Sequence, residues 1–188
     1  MQVESRRTGA GYRVSMEQAR PTFGAIVPPA DESRWLGMFS LAAADRDPRM
    51  PICVASTGLP YLVVPVTSGG LARVRIATAE LEARLAEVGA KFAYLLDVER
   101  REGRTWDNLG MVEDIATGSA AGPVAALLVR HGLASAGEPL VLRQGRFVGR
   151  PSEMELVVRA AGGEIDGILL SGGVVMIARG TFDPEVGA

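Results

Sequence analysis

The sequence predicts an α+β domain in which short strands surround one buried helix. Residues 118–131 are apolar on almost every side of a helix, with only Ser119 and Arg130 strongly polar. A helix of this kind has to be enclosed by protein, because a surface helix would present a polar face. Twenty-three glycines and eleven prolines divide the rest of the chain into short segments, so few long helices are expected. This pattern favours α+β over a doubly wound α/β arrangement.

The first half of the chain is expected to alternate strands and helices. Residues 11–16 alternate polar and apolar side chains, as a half-buried strand does. Residues 19–29 contain three prolines, which favour an extended, irregular crossing. The other predicted elements are helices over 31–42 and 77–89 and strands over 52–56, 61–66 and 91–99. Pro65 is expected to place its strand at a sheet edge or a bulge.

Two polar segments of this half are interpreted as loops. The SGG sequence at 68–70 is typical of a turn, and the mixed charges from Glu99 to Arg104 are typical of a solvated loop. After the buried helix, strands are predicted over 139–144, 154–160, 167–172 and 174–180.

Composition excludes several classes of protein. The apolar runs fall far short of the ~20 residues that a membrane span needs. With 20 basic and 22 acidic residues the net charge is −2 and no basic stripe is present, so no nucleic-acid partner is expected. The single cysteine, Cys53, excludes disulfides within the chain and a multi-cysteine zinc site. No charged and apolar leader opens the chain, so a cytoplasmic location without a membrane is expected.

The segment 110–123 is the best candidate for a binding site. Thr117 and Ser119 stand where the apolar helix begins, and Gly118 allows a ligand to approach the backbone closely. The first N–H groups of a helix have no partners within the helix, and the aligned peptide dipoles place partial positive charge there. Such a helix end binds a carboxylate or a phosphate.

Two carboxylates, Glu113 and Asp114, immediately precede this helix end. A carboxylate beside an anion site is suited to an acid/base step on a small carboxylic acid. The alternative is that Asp114 or Thr117 only caps a helix of the core.

Three motifs resemble one known family. They are EDIATGSAAGP at 113–123, RHG at 130–132 and RQGRFVGRPSEM at 143–154. Together they resemble the phenazine-biosynthesis isomerases, or PhzF-like proteins, which have the diaminopimelate-epimerase-like fold. Residues 15–23 and 56–66 resemble the family more weakly, so the match covers nearly the whole chain.

The resemblance implies a mixed, curved sheet around the central helix and a substrate cleft between two similar domains. It also implies an isomerase that moves a proton on a dihydro-hydroxyanthranilate-like acid without metal or cofactor. Asp114 would place the substrate or carry its proton, and Gly118 and Ser119 would hold its polar groups, with Thr117 at the helix start. A structural role is implied for six further residues: Gln144, Gly145, Gly149, Arg150, Pro151 and Ser152.

The sequence departs from the family pattern at its beginning. The family's main catalytic glutamate and its glycine-histidine pair have no counterpart among these residues. Residues 1–18 are therefore expected to be a strand remnant of the first domain and 19–188 the second domain. His131 matches the family's RHG, and we expect it to have a structural role at a helix end.

Three functions remain open at this stage. The first is a PhzF-like isomerase whose N-terminal catalytic half is absent from this chain, and the second is a non-catalytic small-carboxylate binding domain or half of a split enzyme. The third, an amino-acid epimerase, is disfavoured, because such enzymes of this fold use two cysteines and this chain has one. Cys53 is expected to be buried. A homodimer, or a partner chain supplying the other half, is expected.

Overall fold

Ten strands and four α-helices are present in residues 2–9 and 11–181, which the computed structural model describes. The strands are β1 Val3–Thr8, β2 Gly11–Gln18, β3 Thr22–Ile26, β4 Cys53–Ser56, β5 Pro60–Val66, β6 Phe92–Asp97, β7 Glu102–Arg104, β8 Pro139–Gln144, β9 Ser152–Ala161 and β10 Glu164–Val174. The helices are α1 Glu32–Met38, α2 Ser68–Arg73, α3 Leu81–Glu87 and α4 Gly118–Arg130.

All ten strands belong to one sheet, in the order β1-β2-β10-β9-β8-β7-β6-β5-β4-β3. The β5–β6 and β7–β8 pairs are parallel and the remaining pairs are antiparallel. Helix α4 contacts strands from both halves of this order, namely β4, β5, β8, β9 and β10. The sheet therefore curves around α4, which confirms the predicted α+β class and the curved mixed sheet.

The central strands are buried on both faces. Along β5, Tyr61 and Val63 pack in the core around α4, whereas Leu62 and Val64 pack in a second core with α1, α2 and α3. Alternate residues of a strand point to opposite faces, so both sets of neighbours have to be apolar. This accounts for the uninterrupted apolar sequence of the strand.

The prediction that Pro65 places its strand at a sheet edge or a bulge is wrong, because β5 lies between β4 and β6 and neither pairing has a register shift. The last β5 residue paired with β4 is Val63, so Pro65 lies beyond the end of that ladder. Its carbonyl instead accepts the N–H of Asp47 at 3.1 Å. The missing N–H of the proline therefore removes no hydrogen bond from the β4–β5 pair.

Three other segments differ from their predictions. Residues 22–26 form the edge strand β3, where an irregular crossing was expected. Residues 68–70 begin α2, where a turn was expected, because the Thr67 hydroxyl accepts the N–H of Gly70 at 3.0 Å and caps a helix. Residues 175–180 have no regular structure, so the strand predicted over 174–180 is wrong.

The first two predicted helices are present but short. Helix α1 covers residues 32–38 of the predicted 31–42, and α3 covers 81–87 of the predicted 77–89. Gly89, at a φ of +75°, follows the end of α3 as expected. Within residues 2–9 and 11–181, none of the helices combines the length and the apolar character that crossing a membrane requires.

The prediction of a solvated loop over Glu99–Arg104 is wrong for its second part. Glu102 and Arg104 lie in β7 and are buried. Each is bound by a charged partner, since Arg146 donates two hydrogen bonds to Glu102 and Arg104 donates two to Glu113. Buried charges of this kind require such partners.

The first two strands extend the same sheet outward. Strand β2 pairs with β10, and β1 pairs only with β2 and is exposed along its whole length. The division into residues 1–18 and 19–188 stays a prediction, and residues 182–188 of the second part lie outside the described residues.

Candidate functional site

A cavity of about 570 Å³ lies at the N-terminal end of α4. It is formed by the end of β2, the turn between β4 and β5, and the first turn of the helix. The lining residues are Met16, Glu17, Gln18, Ala19, Thr57, Gly58, Leu59, Gly118 and Ser119. Two of the predicted binding residues, Gly118 and Ser119, therefore lie at the cavity.

The helix start offers unpaired backbone donors. The N–H groups of Ala120 and Ala121 both donate to the carbonyl of Thr117 at 3.1 Å. Among the described residues, the N–H groups of Gly118 and Ser119 donate no hydrogen bond. These two donors and the helix dipole make the cavity wall favourable for an anion.

Asp114 and Thr117 are joined by a hydrogen bond. The Thr117 hydroxyl donates to Oδ2 of Asp114 at 2.7 Å. Asp114 is exposed and Thr117 is 7% exposed, and neither residue lines the cavity. The structure thus places Thr117 behind the helix start, where it positions the Asp114 carboxylate; its predicted contact with substrate stays a prediction.

Gln144 fixes this turn from the end of β8. Its Nε2 donates to the Asp114 carbonyl and to the Thr117 hydroxyl, both at 2.8 Å. Its Oε1 accepts the Tyr94 hydroxyl at 3.2 Å and the Thr117 N–H at 3.3 Å. The side chain is completely buried, so these bonds replace all contact with water. Such contacts agree with the structural role that the resemblance implies.

Gly145 allows the QG motif to approach the helix start. Its φ is +86°, and a Cβ at this position would lie 2.2 Å from the Arg150 carbonyl oxygen and 2.7 Å from that of Ile115. Only glycine combines this backbone conformation with such close neighbours. The turn after β8 can therefore pack against the segment that carries Asp114.

Two side chains that the sequence analysis did not single out hold the first turn of α4. Gln18 donates from Nε2 to the Gly118 carbonyl at 2.8 Å and accepts the Thr57 hydroxyl at 3.0 Å. The Tyr61 hydroxyl lies 2.8 Å from the Ser119 hydroxyl. Both residues fall in the segments 15–23 and 56–66, whose weak resemblance to the family was the available signal.

Glu113 does not act as a second free carboxylate. Arg104 donates to both of its carboxylate oxygens, at 2.9 and 2.6 Å. The guanidinium of Arg104 also donates to the Leu71 carbonyl and lies 4.5 Å from the Trp106 ring and 4.3 Å from the Phe147 ring. The pair is largely buried, so separating it would leave uncompensated charge. Of the two adjacent carboxylates, Asp114 is the exposed one.

Burial governs the titration of the groups near the helix. It raises the pKa of Tyr61, a shift that the bond to Ser119 opposes and the charge of Asp114 reinforces. Burial likewise raises the pKa of Cys53 to about 11, so this buried thiol is not a thiolate at neutral pH. Over the described ranges, no three His, Cys, Asp or Glu side chains are grouped closely enough to hold a metal ion.

Comparison with known proteins identifies the family. Residues 1–180 match the family model described as phenazine biosynthesis-like protein. The chain belongs to this family. It is 30% identical over 183 residues to a trans-2,3-dihydro-3-hydroxyanthranilate isomerase of Pseudomonas fluorescens, a match that covers 94% of this chain and 61% of that protein. It is 28% identical to the uncharacterized isomerase YddE of Escherichia coli O157:H7, over 89% of this chain and 59% of that protein.

The chain thus spans less than two thirds of the length of these relatives, both of which are named as isomerases. Solved structures confirm the fold. A predicted epimerase from Pseudomonas aeruginosa superimposes with a TM-score of 0.89 at 48% identity, over 96% of this chain and 62% of that one. A hydroxyproline epimerase from Agrobacterium vitis has a TM-score of 0.60 at 14% identity, over 91% and 53%, and shows the shared fold alone.

Proposed function

We propose that this chain carries the substrate-holding part of a cofactor-independent isomerase, which moves a proton on a small cyclic carboxylic acid of the dihydro-hydroxyanthranilate class. The observation that carries the proposal is the pair of unpaired N–H groups at Gly118 and Ser119, beside the exposed Asp114. Membership of the phenazine biosynthesis-like family and the name of the Pseudomonas fluorescens relative support the reaction class.

Each part of the cavity has a role in this proposal. The substrate carboxylate accepts hydrogen bonds from Gly118 and Ser119, where the helix dipole favours negative charge. The side chains of Met16 and Leu59 contribute apolar surface for the ring. Asp114 does not line the cavity itself; oriented by Thr117 beside the helix start, it places the substrate or takes part in the proton transfer.

Proton transfer needs two groups, an acid and a base, and among the described residues Asp114 is the only one of three nearby carboxylates that is not bound by an arginine. Glu113 is bound by Arg104, and Glu17, which lines the cavity, accepts a hydrogen bond from Arg159 at 2.8 Å. We therefore propose that the second proton-transfer group comes from protein beyond these 188 residues. The greater length of the isomerase relatives supports this part of the proposal.

Binding is tested by titrating the chain with anthranilate in a calorimeter. We expect heat for the wild type and its loss in Asp114→Ala and in Ser119→Ala. The control variant is Asp166→Ala, since Asp166 is an exposed residue of β10 that does not line the cavity. If the wild type gives no heat, or if both site variants bind as the wild type does, the proposed site is wrong.

Glu113 and Glu17 are each bound by an arginine, so neither is free to transfer a proton. This favours a second function for the chain by itself, namely a small-carboxylate binding domain or half of a split enzyme. Incubation with trans-2,3-dihydro-3-hydroxyanthranilate in D₂O, of the chain alone and of the chain together with the protein that supplies the second proton-transfer group, separates the two functions. An isomerase shifts a double bond and incorporates deuterium, which proton NMR detects. A binding domain gives heat in the calorimeter without conversion.

We propose further that the chain forms a homodimer or pairs with a chain that completes the site. Large apolar side chains are exposed at Leu109, Met111 and Val112, and again over residues 174–177. Exposed apolar groups of this kind are typical of protein interfaces. Sedimentation velocity at increasing concentration is the measurement, and a monomer at all concentrations contradicts the homodimer.

A further inference from the structure

We propose that Tyr61 is a positioning residue that makes the Ser119 hydroxyl a hydrogen-bond donor to the ligand. The site would then select a ligand that presents an acceptor to Ser119, such as a carboxylate oxygen, over one that presents an N–H group there. This inference rests on the proposed function of the cavity at the start of α4.

The phenol of Tyr61 is held in one place by its surroundings. The residue is 3% exposed, and its ring lies 5.9 Å from that of Phe92 at an interplanar angle of 31°. Its hydroxyl oxygen lies 2.8 Å from the hydroxyl oxygen of Ser119. Two hydroxyl groups at this distance share one hydrogen bond, in which only one of the two protons lies between the oxygens.

Burial decides which proton that is. Among the described residues, Ser119 is the hydrogen-bond partner recorded for the Tyr61 hydroxyl. If Ser119 donated the bond, the phenol proton would be buried without an acceptor, which is the costlier arrangement. Ser119 is exposed, so its own proton can meet water or a ligand. Tyr61 therefore donates, and burial supports this direction by raising the pKa of the phenol and keeping its proton in place.

The helix start then presents three donors to a ligand, namely the N–H groups of Gly118 and Ser119 and the Ser119 hydroxyl, whose oxygen has one lone pair occupied by Tyr61 and one left. The side-chain amide of Gln18, which also lines the cavity, is occupied on both sides by the Gly118 carbonyl and the Thr57 hydroxyl. A carboxylate accepts from all three donors, whereas an amide NH₂ in place of one oxygen would face a donor.

The test is a double-mutant cycle read by calorimetry with two probes, anthranilate and 2-aminobenzamide. We expect Tyr61→Phe to weaken anthranilate binding by about 2- to 10-fold, the range of one hydrogen bond. It should also lower the preference for anthranilate over the amide, because both lone pairs of the Ser119 hydroxyl are then free to accept an amide N–H group. In a Ser119→Ala background, Tyr61→Phe should change neither quantity.

The matched control is Tyr12→Phe, since the described residues provide no hydrogen-bond partner for the Tyr12 phenol. It should bind both probes as the wild type does. A merely structural role for Tyr61 would weaken both probes equally and would leave the preference unchanged, which overturns the proposal. Equal effects of Tyr61→Phe with and without Ser119 overturn it as well.

The donor direction can also be read without any ligand. Proton NMR at low temperature should show a slowly exchanging phenol proton that is absent in Tyr61→Phe and shifted in Ser119→Ala. If the wild type binds neither probe but shows this proton, the proposed function fails and the Tyr61 donor direction stands. If the proton is missing from the wild type, the donor direction itself is wrong.

Discussion

The two ends of α4 are built in opposite ways. At the C-terminal end the chain satisfies the helix carbonyls itself. The N–H of Gly132 donates to Val129 at 3.0 Å and that of Leu133 donates to Leu128 at 2.8 Å. With Gly132 at a φ of +69°, this is a Schellman motif, which closes a helix without help from other segments.

At the N-terminal end, the helix has no carbonyl groups that could accept from its first N–H groups. Those of Gly118 and Ser119 donate no hydrogen bond to the described residues. Side chains from β2, β5 and β8 nevertheless hold this end, through Gln18, Tyr61 and Gln144. The difference shows that the open end is fixed in position but not closed. An end held in this way keeps two unpaired donors in a fixed position, whereas the closed end does not.

The largest expected effect comes from placing a charge on the buried surface of α4. Leu128 is completely buried, so Leu128→Asp would place an unpaired charge in the core. The expected cost is ~3–5 kcal/mol, a large part of the ~5–15 kcal/mol stability of a domain. Circular dichroism during heating should show an unfolded chain or a much lower melting temperature. Ile26→Asp, at a site that is 64% exposed and outside the proposed interface, is the control and should melt near the wild type. A cooperative wild-type transition in Leu128→Asp would mean that α4 is not enclosed.

A smaller effect is expected from disturbing the support of the open end. A Cβ at Gly122 would lie 1.7 Å from Oε1 of Gln18, so Gly122→Ala should force this amide out of its hydrogen bonds to Gly118 and Thr57 and destabilise the protein by about 0.5–1.5 kcal/mol. The measurement is urea unfolding. Adding Gln18→Ala removes the clash, and the double variant should be more stable than Gly122→Ala alone.

Gly37 in α1 provides the matched control, because a Cβ there meets nothing within 4 Å. Gly37→Ala should raise the free energy of unfolding by roughly 0.5–1 kcal/mol. If the effects of Gly122→Ala and Gln18→Ala simply add, Gln18 does not support the helix start as described.

The third prediction compares the two ends directly. Gly132→Ala forces a left-handed backbone on alanine and should cost about 1–2 kcal/mol of stability, while anthranilate binding stays at the wild-type level. Ser119→Ala leaves the buried Tyr61 phenol without its acceptor and should also cost about 1–3 kcal/mol of stability, but unlike Gly132→Ala it should weaken anthranilate binding strongly. Urea unfolding and calorimetry on both variants provide the measurement. Equal losses of affinity in the two variants would remove the distinction between the ends.

The features that the sequence analysis predicted correctly are those that local sequence specifies. Helix α4 and its open start follow from an apolar run and a motif that is contiguous in the chain. Gly89 likewise follows from residues whose neighbours in sequence define its conformation. For these elements one short segment contains all the physical information.

The features that it missed depend on partners far away in the chain. Glu102 is buried because Arg146 reaches it, and Gln18 becomes part of the site because Gly118 lies beside it. Pro65 is compatible with a central strand only because β4 ends before reaching it. Each of these outcomes requires the register of the whole sheet, which no local pattern contains.

The smallest expected effect concerns His131, which follows the last residue of α4 and is the only histidine in the chain. A charged histidine at a helix C-terminus usually gains stability from the dipole, and its pKa rises. Here burial, and next the charge of Arg130, lower the pKa of His131 from its usual value near 6.5. In the window between the folded and the ordinary pKa, the unfolded chain binds a proton that the folded chain does not. Stability should therefore fall slightly as the pH drops below about 6.5, and the effect should be absent above that pH.

Two measurements on His131 test the comparison between the ends. NMR titration follows the single imidazole in the folded and the urea-unfolded chain, and melting temperatures between pH 7.5 and 5 compare the wild type with His131→Asn. We expect the folded pKa to be the lower one and the decrease in melting temperature to be slightly smaller in the variant. A folded pKa above the unfolded one would mean that α4 still attracts a positive charge at its C-terminus. The carbonyls there would then not be satisfied by the Schellman turn, and the contrast between a closed and an open end would be lost.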